Sequence, residues 1–135
     1  MLSRLCVLCW IAALAGCGGG DFVCDIEKRR GTYDLTAKKV SGSCPEIGRG
    51  VVMLGGGPAA GPCRAVDQRI SADGCTITTL SRCETEEEIV DISVATTQED
   101  AGASRLSGVA TVAAHNRGGA SCVSTYDLDY VRKQR

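Results

Sequence analysis

Polar and apolar residues alternate along much of this chain. Thr32–Val40 sets Tyr33, Leu35 and Ala37 against Thr32, Asp34, Thr36 and Lys38. A repeat of two puts one side of an extended chain on a core and the other in water, so a strand is predicted, ended by Ser41-Gly42-Ser43. Cys63–Ile70 and Cys75–Cys83 read as a hairpin. Their link, Ser71-Ala72-Asp73-Gly74, contains Asp-Gly, a strong short-range turn signal. Glu86–Thr97 is β-branched and strand-like behind an acidic start. Arg105–His115 and Ala120–Arg132 form a second hairpin around Asn116-Arg117-Gly118-Gly119. In the last of these strands Cys122, Ser124, Tyr126, Leu128 and Tyr130 share one face, and Asp127 and Asp129 share the other.

The remaining segments lack that rhythm. Asp25–Arg30 is charged and reads as a short helical turn or a linker. Gly48–Pro62 is rich in Gly, Pro and Ala around a short apolar stretch, Val51–Leu54, and is expected to be a surface loop. Its glycines do not make a phosphate cradle, because the G-x-G-x-x-G spacing and a following Lys-Ser or Lys-Thr are both missing. Gln98–Ser104 reads as a polar loop, and Arg132–Arg135 as a frayed basic tail. No amphipathic helix of useful length and no internal repeat stands out. The fold class expected is all-β: an antiparallel meander of about 5–7 strands, forming a small barrel or a strongly twisted sheet and cross-linked by disulfides. In size and strand order this loosely resembles small lipocalin-like or avidin-like barrels.

The first residues carry a different pattern. Arg4 supplies a positive start, and Cys6–Leu14 is an apolar run far shorter than the roughly 20 residues a membrane-spanning helix needs. Leu14-Ala15-Gly16-Cys17 follows. These residues resemble the signal peptide and lipobox of bacterial lipoproteins. That resemblance implies cleavage before Cys17, diacylglycerol on its sulfur and acylation of the new amino terminus. It also implies a membrane-bound protein of the cell envelope. The residue after the cysteine is Gly18 rather than Asp, which in such lipoproteins leans toward the outer membrane. Gly18-Gly19-Gly20 would serve as a flexible tether. The expected organisation is a signal peptide over 1–16, a lipidated cysteine and tether over 17–30, and a single β domain over 31–135.

Nine cysteines are present. Removing Cys6 and Cys9 with the leader and assigning Cys17 to lipid leaves Cys24, Cys44, Cys63, Cys75, Cys83 and Cys122, an even set that reads as three disulfides in an exported chain. Bonded cysteines need Cα atoms within about 7 Å. A turn centred on Asp73 pairs Ile70 with residue 75 or 76, and the same register brings Cys63 opposite Cys83 or its neighbour. If the sheet closes, the end of the first strand near Cys44 meets the start of the last near Cys122. Cys24–Cys75 then follows by elimination. Zinc is the alternative reading of these thiols, but they contain no close C-x-x-C pair and His115 is the only histidine.

Composition sharpens the picture. At 135 residues the chain is one domain. Only 4% of it is aromatic, and outside the leader that means Phe22, Tyr33, Tyr126 and Tyr130, so the core is thin and cross-links matter. Without Arg4 there remain 14 basic residues against 16 acidic, a net charge of −2 with no basic patch for nucleic acid. Catalytic constellations are not evident. His115 sits beside a turn. Asp127 and Asp129 read as surface partners of Lys38 and Lys39, and for Asp34 the surface and site readings both stay open. Glu84 and Glu86–Glu88 read as a solvated strand end rather than a cation site. Tyr33, Tyr126 and Tyr130 read as core or rim rather than cavity lining. No metal or cofactor is expected. The function expected is a non-enzymatic envelope module that binds a ligand or partner near the membrane. The alternatives are a structural or protective lipoprotein, including an enzyme inhibitor of the kind some small lipoproteins provide against lysozymes, and, third, an enzyme.

Overall fold

The computed structural model describes residues 22–55 and 61–134. The leader, the lipobox with Cys17 and the Gly18–Gly20 tether lie outside those residues. The fold class matches the sequence expectation: one seven-stranded antiparallel sheet, curled into a half-barrel and carrying three disulfides. The strands are β1 (Gly31–Gly42), β2 (Gly48–Leu54), β3 (Cys63–Ile70), β4 (Thr76–Glu84), β5 (Glu88–Gln98), β6 (Arg105–Asn116) and β7 (Ser121–Arg132). Their order in the sheet is β2-β1-β7-β6-β5-β4-β3.

The period-two reading holds best in β7, where Ser124, Tyr126, Leu128 and Tyr130 are buried and Val123, Asp127 and Val131 are exposed. In β1, Tyr33 and Ala37 are buried opposite exposed Asp34, Thr36 and Lys38. The core gathers on that face: Tyr33, Leu106 and Tyr126 are at most 1% exposed. Tyr33 donates its hydroxyl proton to the Ala103 carbonyl at 2.8 Å and meets the Tyr130 ring edge-on at 6.4 Å. Tyr126 donates to the Pro45 carbonyl at 2.7 Å. Both hydroxyls thus keep a partner on burial, which is what lets a ring with a polar end fill a core. Burial pushes the Tyr33 and Tyr130 hydroxyl pKa values up.

Three expectations are corrected. Gly48–Leu54 is an edge strand and not a loop, paired with β1 from Gly31↔Leu54 to Ala37↔Gly48. Glycines are poor strand formers, but an edge strand needs one ladder only, and Val52 and Leu54 cover the core from the inner side. Residues 24–30, expected as tether or as a short helical turn, form the turn and not the tether. Cys24 is bonded to Cys75, Ile26–Arg29 forms a 3-10 turn capped by the Asp25 carboxylate, and Arg29 is 4% exposed. Arg132 is not a frayed tail residue. Its guanidinium lies over the Tyr33 ring at 4.8 Å and donates to the Arg30 carbonyl at 2.8 Å, to the Lys28 carbonyl and to the Tyr33 hydroxyl at 2.6 Å. A planar donor with five N–H groups can close a strand end where several carbonyls converge.

The β3–β4 hairpin shows how the cysteine register is set. Ile70 stands opposite Ile77, one residue beyond the expected partner. A bulge between Ala65 and Asp67 absorbs the extra residue, so Cys63 stands opposite Cys83 and the two are bonded. Cys44 is bonded to Cys122, where β1 and β7 pair antiparallel.

Candidate binding face on the open side of the sheet

The registers carry the buried face across the sheet. Leu106, Ala110 and Val112 of β6 stand opposite Gln98, Val94 and Ile92 of β5. Thr96, Val94 and Ile92 stand opposite Ile77, Thr79 and Ser81 of β4, and Ile77 and Thr79 stand opposite Ile70 and Gln68 of β3. Directly paired residues project to the same side. The core face of β1, β7 and β6 therefore continues onto β5, β4 and β3, but there it is not dry. Every residue of β4 except Glu84 is only half-buried, and β3 is exposed along nearly its whole length. Small and polar side chains, Thr79, Ser81 and Thr96, line this part, and nothing the size of a tyrosine fills it.

At one rim this face is closed off by the 3-10 turn. A cavity of about 280 Å³ lies there, with Arg29, Leu54, Gln68, Ile77, Thr79 and Thr96 in its walls. It spans the end of β2 and the inner faces of β3, β4 and β5. Arg29 holds its guanidinium against the strand ends. It donates to the Thr96 carbonyl at 3.2 Å, to the Thr96 hydroxyl at 3.1 Å and to the Cys75 carbonyl. Its Nε has no hydrogen-bond partner among the described residues. Carbonyl dipoles, and no carboxylate within ion-pair distance among the described residues, balance this buried cation, and burial pushes its pKa down. The Cys24–Cys75 bond anchors the turn that carries it.

The other residues singled out in the sequence are not brought together here. Tyr33, Tyr126 and Tyr130 are core. His115 is exposed near the end of β6, opposite Ile89 and Ser121 and on the outer side of the sheet. Asp127 stands opposite Lys38, whereas Asp129 takes Arg105 at 2.8 Å instead of a lysine. Glu84 pairs with Arg117 at 2.9 Å, Asp34 with Lys133 at 3.5 Å, and Lys39 with Glu46 at 3.7 Å. No group of three or more His, Cys, Asp or Glu among the described residues could hold a metal ion. The arrangement offers donors, apolar contacts and space. Sequence reasoning missed Arg29, Thr79, Thr96 and Leu54. An arginine whose partners are backbone carbonyls leaves no residue pattern, and Leu54 sat inside a segment read as a loop.

The chain matches no protein-family model, no curated protein and no solved structure.

Proposed function

We propose that this chain is a cell-envelope lipoprotein, held to the outer membrane by lipid on Cys17, whose domain is a non-enzymatic module that binds a ligand or partner on the open side of its half-barrel. One observation carries the binding part of this reading: the inner face is packed dry over β1, β7 and β6 and left half-wet over β5, β4 and β3. A sheet face of valine, isoleucine and threonine exposed in that way loses the stabilisation of burial until something covers it, about 25 cal/mol for each Å² of apolar surface. The leader, the lipobox-like Leu14-Ala15-Gly16-Cys17 and the glycines behind it support the anchor.

The test places a photo-crosslinking residue at Thr79, on the inner face, or at Thr111, on the outer face of β6, in the full chain expressed with its leader in a bacterial envelope. Adducts from Thr79 and none from Thr111 are expected, in the membrane fraction. Replacing Cys17 by Ala should release the protein from that fraction. Equal adducts at both positions, or none at either, would overturn the binding reading. A Cys17→Ala chain that stays membrane-bound would overturn the anchor.

A further inference from the structure

The cavity beside the 3-10 turn has walls of two kinds. Ile26, Leu54 and Ile77 are apolar, and Ile26 is still 38% exposed. Arg29, Gln68, Thr79 and Thr96 supply N–H and O–H donors, and no acid stands among the described lining residues. Register puts Ile77 directly opposite Thr96, and Gln68 directly opposite Thr79, all on the inner side of the sheet. No part of the site is assigned to residues 56–60, which lie outside the described residues.

Arg29 leaves the site incomplete. It is buried, and carbonyls and one hydroxyl hold it. Its Nε has no acceptor among the described residues. The carboxylate of Glu27, two residues away, goes to Arg30 at 3.0 Å instead. Carbonyl dipoles offset part of the cost of burying a cation, and a formal negative charge beside it offsets more. What completes the site must bring one anion to Arg29 and carbon surface to Ile26, Leu54 and Ile77. The volume, about 280 Å³, is that of roughly nine water molecules at about 30 Å³ each, which limits the occupant to about ten non-hydrogen atoms. A planar carboxylate matches the guanidinium fork.

We propose that this cavity binds a medium-chain monocarboxylate, its carboxylate beside the Arg29 guanidinium and its hydrocarbon chain over Ile26, Leu54 and Ile77. The hydroxyls of Thr79 and Thr96 and the Gln68 amide are the further donors in reach of the same cavity. Charge selects the ligand class, and the apolar walls select the chain. This names the ligand class for the binding reading above and rests on it.

The experiment uses the full chain, expressed with its leader and kept in bacterial membranes. The probe is octanoate with a diazirine at the end of its chain, and adducts are mapped by peptide mass spectrometry. Adducts should fall on the peptides that hold Ile26, Leu54 or Ile77 and should saturate with probe. Plain octanoate should displace the probe about tenfold more effectively than 1-octanol, a ratio one charge-assisted contact can supply. Arg29→Met should bring that ratio close to one while adducts persist, and Arg29→Lys should keep it. Labelling of Val109 and Val123 on the outer face as strong as that of the cavity, labelling that does not saturate, equal displacement by octanol and octanoate, or an unchanged ratio in Arg29→Met would each overturn the inference. Should Arg29→Met abolish labelling outright, Thr79→Leu decides, because it narrows the cavity and leaves Arg29 in place. Weaker labelling with the ratio kept then supports the site, and unchanged labelling overturns it. If octanoate leaves no adduct in the cavity while the photo-crosslinking residue at Thr79 still captures a partner, the carboxylate inference fails and the binding reading stands.

Discussion

The two sides of this sheet are made of strands of similar length, and they differ in what they turn inward. From β1, β7 and β6 come Tyr33, Tyr126, Tyr130 and Leu106, all buried. From β5, β4 and β3 come Val94, Thr96, Thr79, Ser81 and Gln68, none of them fully buried. The chain has three tyrosines, and all three sit on the first side. Large rings supply most of the area a small core can bury, so a sequence this poor in them can dry one side only. The second side is pinned instead by covalent links at its ends, Cys63–Cys83 at one rim and Cys24–Cys75 at the other. The first side is therefore held by packing and one disulfide, the second by two disulfides and less packing, and the second keeps a face free.

The sharpest way to break this comparison is to remove one staple from each side. Cys44–Cys122 closes a separation of 78 residues on the packed side, and Cys63–Cys83 closes one of 20 on the open side. Chain entropy alone assigns them about 4.5 and about 3.3 kcal/mol. The Cys44→Ser, Cys122→Ser protein also strands polar atoms beside Ser124, whose hydroxyl oxygen accepts from the Cys44 N–H at 2.7 Å. Urea midpoints should therefore fall further for that pair than for Cys63→Ser, Cys83→Ser. The opposite order would mean that the open side limits stability.

Next in size is the packing contrast itself. Tyr126→Ala should cost about 4 kcal/mol, since it empties a buried site and strands the Pro45 carbonyl. Ile92→Ala, on the continuation of the same face in β5, should cost about 1 kcal/mol because that side chain is still partly in water. Equal losses in chemical denaturation would show that the second side is as dry as the first.

How much of this was legible in the sequence follows from the same contrast. Where inward residues are large and outward ones charged, as in β1 and β7, alternation marks the strand and its face. Cys63–Cys83 was legible because a hairpin sets its register, whereas Cys44–Cys122 rested on the first strand meeting the last and Cys24–Cys75 followed by elimination. Gly48–Leu54 was not, because glycine at Gly48 and Gly50 removes the alternation, and pairing with β1 overrides weak local preference. For residues 24–30 the short helical turn was legible but its packing was not, because the groups that hold Arg29 are carbonyls supplied by Thr96 and Cys75, far along the chain.

A smaller contrast lies in two glycines with positive φ. Gly42 has φ +105°, and a methyl group there would strike the Val123 carbonyl and the Ser124 backbone, on the packed side. Gly48 has φ +77° and open space around it, at the start of the free edge. Gly48→Ala should cost only the left-handed backbone term, about 1 kcal/mol, and Gly42→Ala at least twice that, roughly 2–3 kcal/mol, because the neighbouring strand must move. Thermal unfolding of the two variants orders them directly.

The smallest expected effect separates two carboxylates by pH. Asp100 sits in the turn between β5 and β6 and accepts from the N–H groups of Ser104, Gly102 and Arg105 and from the Ser104 hydroxyl, and these bonds hold its pKa below the ordinary aspartate value. Asp91, on the open side, is lowered by the Arg82 guanidinium, which donates to it twice, at 2.7 and 2.9 Å. A carboxylate whose pKa is lower in the folded chain contributes stability above its unfolded value, near 3.9, and loses it as pH falls through the folded value. Both should therefore weaken the fold only in acid. They part on salt. Asp100 is served mainly by backbone N–H groups that the turn itself fixes, and Ala103 in that turn is fully buried and accepts from Tyr33, so Asp100→Asn loosens a contact of the core. Its cost should stay near or below about 1 kcal/mol at neutral pH and persist in high salt. Asp91→Asn breaks a half-buried ion pair that salt still reaches, so its effect should shrink as salt is added. If the two variants respond to salt alike, Asp100 is a surface charge like Asp91, and the turn that seats Ala103 beneath Tyr33 is held by the core alone.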